Sequence, residues 1–381
     1  MKSSYICPRC GNSDPRYIGY LNSRPYCRKC ISFSGKHVEE QDKSKRKIAL
    51  ELRYPLSKDQ EKVASEVLLN YKEHRNAFIY AVTGAGKTEL IYKTVEYALK
   101  KHLNVGFAVP RRDVVLDLVP RFQEAFPSAQ VTYVIGEHSK VLNGDIILLT
   151  THQLYRYEHF FDLLIMDEID AFPYKGASVL HSFAKKACRG NYILLSATPS
   201  EEDLKEIKKN GKVFTLFHRF HNHPLPVPRF LKSDLFLPYT GYKELQRLLR
   251  KNKPVFFFVP TIVIGESLSK LYLPLLPHGA FVCSESQDRE EKIDKFKKGQ
   301  LSYLITTSIL ERGVTVKGLQ VIVYKADHEL YTKEALIQIA GRAGRKKEEP
   351  EGEVIFLGRK ENESIRSSIS EIKRLNKEAG L

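Results

Sequence analysis

Nowhere in its 381 residues does this sequence carry an apolar run approaching the roughly 20 residues that a membrane-spanning helix requires. Its first ten residues, MKSSYICPRC, also lack the apolar centre of a secretory signal, so a cytosolic protein is expected. Cysteine is scarce: there are six, four of them within the first 30 residues, while Cys188 and Cys283 stand alone. In a reducing compartment paired CxxC units point to metal rather than to disulfides. Acidic residues are outnumbered, 45 against 61 Lys and Arg, which leaves a net charge of +16. Such a surplus favours a polyanionic partner, either nucleic acid or an anionic membrane surface. No third copy of any segment pattern occurs, which excludes a solenoid.

The early cysteines are Cys7 and Cys10 in CPRC and Cys27 and Cys30 in CRKC, with sixteen residues between the pairs. That is the spacing of a structural zinc site in which four thiolates fill every position. Around them Tyr17, Tyr20 and Tyr26 interleave with Arg16, Arg24 and Arg28. The aromatics are expected either to stack on bases or to pack inward.

Residues 1–36 read as this zinc module and 37–51 as a charged linker. Over 52–216, strand-length apolar runs (AFIYAV, VGFAV, DIILLT, DLLIMD, NYILLS) alternate with helical stretches, the pattern of a parallel α/β sheet covered on both faces. Residues 217–240, which include FHRFHNHPLPVPRF, break the pattern with closely spaced prolines and read as an interlobe linker. His218, His221 and His223 lack the Cys or carboxylate partners of a metal site. A second α/β series (PVFFFV, SYLITT, QVIVYK, EVIFL) fills 241–381 and ends in a helix with periodic isoleucines.

Short motifs sit at the strand ends. AVTGAGKTE begins at Ala81, where a strict phosphate loop has Gly. Gly84, Ala85 and Gly86 would let backbone N–H groups curl around phosphate oxygens, Lys87 would reach the β and γ phosphates, and Thr88 would place a hydroxyl on magnesium. In DEID, Asp167 is the second magnesium candidate, Glu168 the group that polarises the attacking water, and Asp170 a coupling residue. Ser196 and Thr198 in SAT read as a relay. In QIAGRAGR, Gln338, Arg342 and Arg345 are expected on one helical face turned toward a γ-phosphate, and an arginine finger of this kind is worth about 10³ to 10⁵ in rate. Glu311 and Gly313 in ILERGVT read as coupling residues that meet ribose or nucleic-acid backbone, or else as a charged turn. Gln60 can pair with the adenine edge or sit on a helix surface. Arg111, Arg112, Thr151, His152 and Thr307 follow strands and are candidate DNA-backbone contacts, with solvated loop positions as the alternative.

Taken in order, these motifs resemble superfamily 2 helicases over residues 52–358, and together with CPRCGNSDPRYIGYLNSRPYCRKC they resemble the ComFA-like competence ATPases over nearly the whole chain. The resemblance implies two RecA-like lobes in tandem behind a small zinc module. It further implies an ATP- and magnesium-dependent motor stimulated by single-stranded DNA, assisting uptake of transforming DNA at the inner face of the membrane. Implied partners are single-stranded DNA, competence proteins including a ComFC-like protein, and peripherally the DNA-uptake channel. Two other readings stand beside it. One is a replication-restart helicase similar to PriA, whose cysteines lie within the second lobe, or an RNA helicase; the other is a zinc-dependent DNA-binding adaptor with a residual motor.

Overall fold

The computed structural model describes residues 5–40, 48–136, 139–171, 173–307 and 316–381. It divides into two compact units. The first comprises residues 1–81 and 87–216, and the second 82–86 and 217–381.

The first unit begins with a hairpin, β1 (Ile18–Leu21) antiparallel to β2 (Arg24–Cys27). Asn22 and Ser23 turn it with φ of 46° and 63°, the backbone of a two-residue hairpin loop whose twist matches its strands. Seven parallel strands follow: β3 (Asn76–Ala81), β4 (Val105–Val109), β5 (Val131–Val134), β6 (Ile146–Thr150), β7 (Phe161–Asp167), β8 (Cys188–Ser196) and β9 (Gly211–Leu216). Their order is β5-β6-β4-β7-β8-β3-β9. Every residue of β4 and β6 is buried, as expected of unbroken apolar strands with helices on both faces. The helix Lys58–Lys72 enters the lobe through a capping box. The Ser57 hydroxyl accepts the Gln60 N–H at 3.2 Å, and the Ser57 N–H donates to Gln60 Oε1 at 2.9 Å.

The second unit repeats the plan with β10 (Arg229–Lys232), β11 (Val255–Phe258), β12 (Gly279–Val282), β13 (Tyr303–Thr306), β14 (Gln320–Tyr324) and β15 (Val354–Gly358), all parallel, in the order β10-β15-β14-β11-β13-β12. One face packs Phe257, Ile305, Ile322 and Ile355 against Leu245, Leu248 and Tyr272 of the covering helices. The closing helix, Glu363–Glu378, buries Ile365, Ile372 and Leu375, the periodic face visible in the sequence. Among the described residues, no helix is long and apolar enough to cross a membrane.

Candidate functional site

Strand order is what assembles the first group of motif residues. β7, β8 and β3 are neighbours, and their register sets Asp167 opposite Leu195 and Ser196 opposite Tyr80. The carboxyl ends carrying DEID, SAT and the start of AVTGAGKTE therefore lie side by side on one sheet edge, the edge at which open parallel sheets bind ligands. Gly84 and Gly86 have φ of +83° and +78°, left-handed backbone that only glycine adopts cheaply. The Ala85 N–H donates to the Val82 carbonyl at 3.2 Å and closes the turn. Lys87 starts the next helix with its Nζ 3.5 Å from the Ala81 carbonyl, and the neighbouring Thr88 is buried.

Asp167 ends β7 half-buried, and its Oδ1 accepts the Glu168 N–H at 2.8 Å. Glu168 itself takes φ +58°, an uncommon conformation for a residue with a Cβ, in which the chain turns sharply at the strand end. Asp170 and Thr198 meet directly. The Thr198 hydroxyl donates to Asp170 Oδ2 at 2.5 Å, and the Thr198 N–H donates to Ser196 Oγ at 3.0 Å. DEID and SAT, far apart in sequence, are thus joined by a buried charge-assisted bond. Gln60 is buried with its side-chain carbonyl committed to the Ser57 cap, so it is not a loose surface amide.

The candidate DNA contacts fall in different surroundings. Arg111 and Arg112 stand at the start of the helix after β4, Arg112 exposed and Arg111 half-buried. Thr151 is fully buried, and the His152 ring stacks on Phe33 at 6.1 Å, where burial lowers its pKa. Phe33 also lies edge-on to Tyr155 and Phe183 at 5.8 and 5.1 Å. The segment behind the cysteines is thereby anchored to the first lobe, helped by the Val38 N–H on the Arg156 carbonyl and the Tyr155 hydroxyl on the Ser34 carbonyl. Thr307 follows β13 half-buried, whereas Glu311 and Gly313 lie outside the described residues.

In the second unit the helix Lys333–Ala340 is capped by Thr332, buries Gln338 and stops at Gly341. Arg342 is 4 % exposed and Arg345 half-buried. The expectation that both arginines share a helical face does not hold. Residues 341–344 form a turn, and Gly344 has φ +61° with the Pro350 carbonyl oxygen 2.0 Å from where a Cβ would stand. The left-handed glycine ends helical continuity before Arg345.

Cys7, Cys10, Cys27 and Cys30 are buried with all four sulfurs within 4.8 Å of one another. The Cys7–Cys30 and Cys10–Cys27 separations are 3.6 and 3.7 Å. Four thiolates about 2.3 Å from a tetrahedral zinc stand about 3.8 Å apart, so this donor set fits zinc and leaves no open position for water. Burial pushes the Cys10 thiol up, a penalty that a bound cation removes. Beside the cluster, Tyr20 is exposed, Tyr17 carries the Lys29 ammonium 4.4 Å over its ring, and Tyr26 lies across Gly19 of the opposite strand. Tyr17 and Tyr20 are thus exposed and Tyr26 is half-buried.

Sequence reasoning missed the segment 217–225, taken as a polar linker. It is a strap. The Phe220 N–H donates to the Gly84 carbonyl at 3.1 Å, Arg219 Nη2 to the Ala343 carbonyl at 3.0 Å, and His221 Nε2 to the Gly344 carbonyl at 3.1 Å. Asn376 of the last helix pairs with both backbone groups of Leu225 at 2.8 and 2.9 Å. Closely spaced prolines suggested a linker; the local signals against it were Arg219 and three histidines beside Phe217 and Phe220.

Two family models match: "Type III restriction enzyme, res subunit" over residues 53–201 and "Helicase conserved C-terminal domain" over 241–347. The chain is 37 % identical to competence protein ComFA of Bacillus subtilis, covering 98 % of this chain and 86 % of the relative. It is 36 % identical to the Streptococcus pneumoniae ComFA, covering 100 % and 92 %. Among solved structures it is similar to Saccharomyces cerevisiae Dbp5 bound to RNA and ADP BeF3, with a TM-score of 0.65 at 19 % identity over 84 % of this chain and 87 % of that one. With two RecA-like parallel lobes and a four-cysteine module fit for zinc, the chain belongs to the ComFA family of competence-related superfamily 2 helicase-like proteins.

Proposed function

We propose that this protein is an ATP-hydrolysing translocase on single-stranded DNA that assists uptake of transforming DNA. The observation that supports the reading is the single sheet edge at which β3, β7 and β8 end, with Ala81 at the start of AVTGAGKTE, Asp167 of DEID and Ser196 of SAT side by side. In the proposal the Gly84–Gly86 backbone and Lys87 hold the phosphates, and Gln60 reads the adenine. Glu168 orients the attacking water and takes its proton, and Gln338, Arg342 and Arg345 act on the γ-phosphate. Thr88 and Asp167 would hold magnesium, which when bound neutralises charge on the phosphate oxygens. The Thr198 to Asp170 bond supports a coupling role for those residues and for Ser196. Arg111, Arg112, Thr151, His152 and Thr307 are proposed along the DNA path, of which Thr151, being buried, and His152, half-buried against Phe33, would act by shaping the rim. A ComFC-like partner and peripheral contact with the membrane uptake channel complete the proposal.

ATPase rates with single-stranded DNA, duplex DNA and RNA test it. Single-stranded DNA should stimulate most, and its binding should weaken with salt by a log–log slope of about −0.7 per phosphate neutralised. RNA-selective or fork-selective stimulation would favour the RNA-helicase or replication-restart reading. Unchanged transformation by Lys87→Ala protein lacking ATPase activity would favour the adaptor.

A further inference from the structure

Arg219 heads the largest fully buried side chains, at 1 % exposure. Its Nη2 donates to the Ala343 carbonyl at 3.0 Å, but Nε and Nη1 have no hydrogen-bond partner among the described residues, and no described carboxylate pairs with it. Nε faces the phosphate loop, since a Cβ built on Gly84 would lie 3.1 Å from it. The loop is held there by the Phe220 N–H on the Gly84 carbonyl. The charge that bears on Arg219 is of its own sign. Burial first, and Arg345 second, push its pKa down to about 9, which still leaves it cationic at neutral pH.

A guanidinium removed from water with two donor nitrogens unused and a like charge as its neighbour is costly until an anion joins it. The adjoining chain segment is the glycine loop that binds anions in the reading above. We propose that Arg219 is a phosphate-binding residue of the nucleotide site, donating hydrogen bonds to the phosphate chain that the loop 82–86 cradles. This inference rests on the ATP-site reading. The phosphate named is a nucleotide's rather than DNA's, because Nε stands against Gly84 of the loop that the reading above gives to nucleotide phosphates. A purely structural strap needs only the Nη2 bond, which lysine or glutamine can supply, and gives no reason for a fork with two further unmet donors.

The test compares wild type with Arg219→Met and Arg219→Gln, using ATP itself as the calorimetric probe and thermal melting of the nucleotide-free protein as a second readout. Loss of charge-assisted bonds predicts ATP affinity about 10- to 100-fold weaker in both variants. Removal of an uncompensated buried cation predicts that nucleotide-free Arg219→Met melts no lower than wild type. Affinity for single-stranded DNA without nucleotide should not change. Wild-type ATP affinity in Arg219→Gln, or lowered nucleotide-free melting with ATP affinity intact, would overturn the inference and leave the ATP-site reading standing. A loss confined to DNA affinity would overturn it in favour of a DNA phosphate. If the wild-type protein itself neither binds nor hydrolyses ATP, the ATP-site reading fails and takes this inference with it.

Discussion

Replacing Thr198 with valine keeps side-chain volume and removes one oxygen, the donor to Asp170 Oδ2 at 2.5 Å. Asp170 is 9 % exposed and Thr198 8 %, so water has little access to replace the lost bond. Hydrogen bonds to charged groups contribute about 1.5–3 kcal/mol, and a buried carboxylate that loses a donor incurs a desolvation penalty of similar size. Thr198→Val should therefore destabilise the first lobe by about 2 kcal/mol. Thr198→Ser retains the donor and loses one methyl, at a cost of about 1 kcal/mol or less. Asp170→Asn keeps an acceptor but removes the charge. A double-mutant cycle over Thr198→Val and Asp170→Asn, read by urea unfolding, should return a coupling energy of about 1–2 kcal/mol. If the bond also links DEID to SAT, Thr198→Val should lose DNA stimulation of ATPase while binding ATP normally. Equal stability of the Val and Ser variants, with a coupling energy near zero, would refute the reasoning.

Other expectations follow from the same structure. Strong chelation should remove one zinc per chain, measured by elemental analysis, and melt the amino-terminal module; Cys27→Ser should behave likewise. His221 donates from Nε2 to Gly344 and accepts the His223 N–H on Nδ1, which requires the neutral ring, and burial lowers its pKa from 6.5 to about 4. The unfolded chain therefore binds the extra proton between these values. The stability from neutral His221 is complete above pH 6.5 and is lost as pH falls toward 4, and His221→Gln should flatten that part of a melting-versus-pH curve. Gly344→Ala combines left-handed backbone with a Cβ 2.0 Å from the Pro350 carbonyl oxygen, so it should lower the melting temperature markedly, whereas Gly136→Ala, with open space around it, should not.

Backbone turns at strand ends are written locally, and that is why much of the local geometry around these motifs was legible. Gly84 and Gly86 need their positive φ within one short loop, and Asp167 and Ser196 end strands whose apolar runs are unmistakable. The juxtaposition of those strand ends came from the alternation of strands and helices, which sets a parallel sheet. What stayed hidden depends on contacts between distant segments. Arg219 meets Ala343 across 124 positions, and His152 meets Phe33 of the cysteine segment; neither environment leaves a periodic trace. Arg342 and Arg345 misled for a different reason. Spacing of three suggests one helical face, but Gly341 and Gly344 end the helix first, and tertiary fit at Pro350 decides the backbone there.

The most direct test of the central claim is the steady-state ATPase rate and ATP affinity of Glu168→Gln, measured with saturating single-stranded DNA. If Glu168 orients the water at the edge shared by β3, β7 and β8, ATP should bind with near wild-type affinity while turnover falls about 10²- to 10⁴-fold. Glu168→Gln protein that hydrolyses ATP at the wild-type rate would contradict the account.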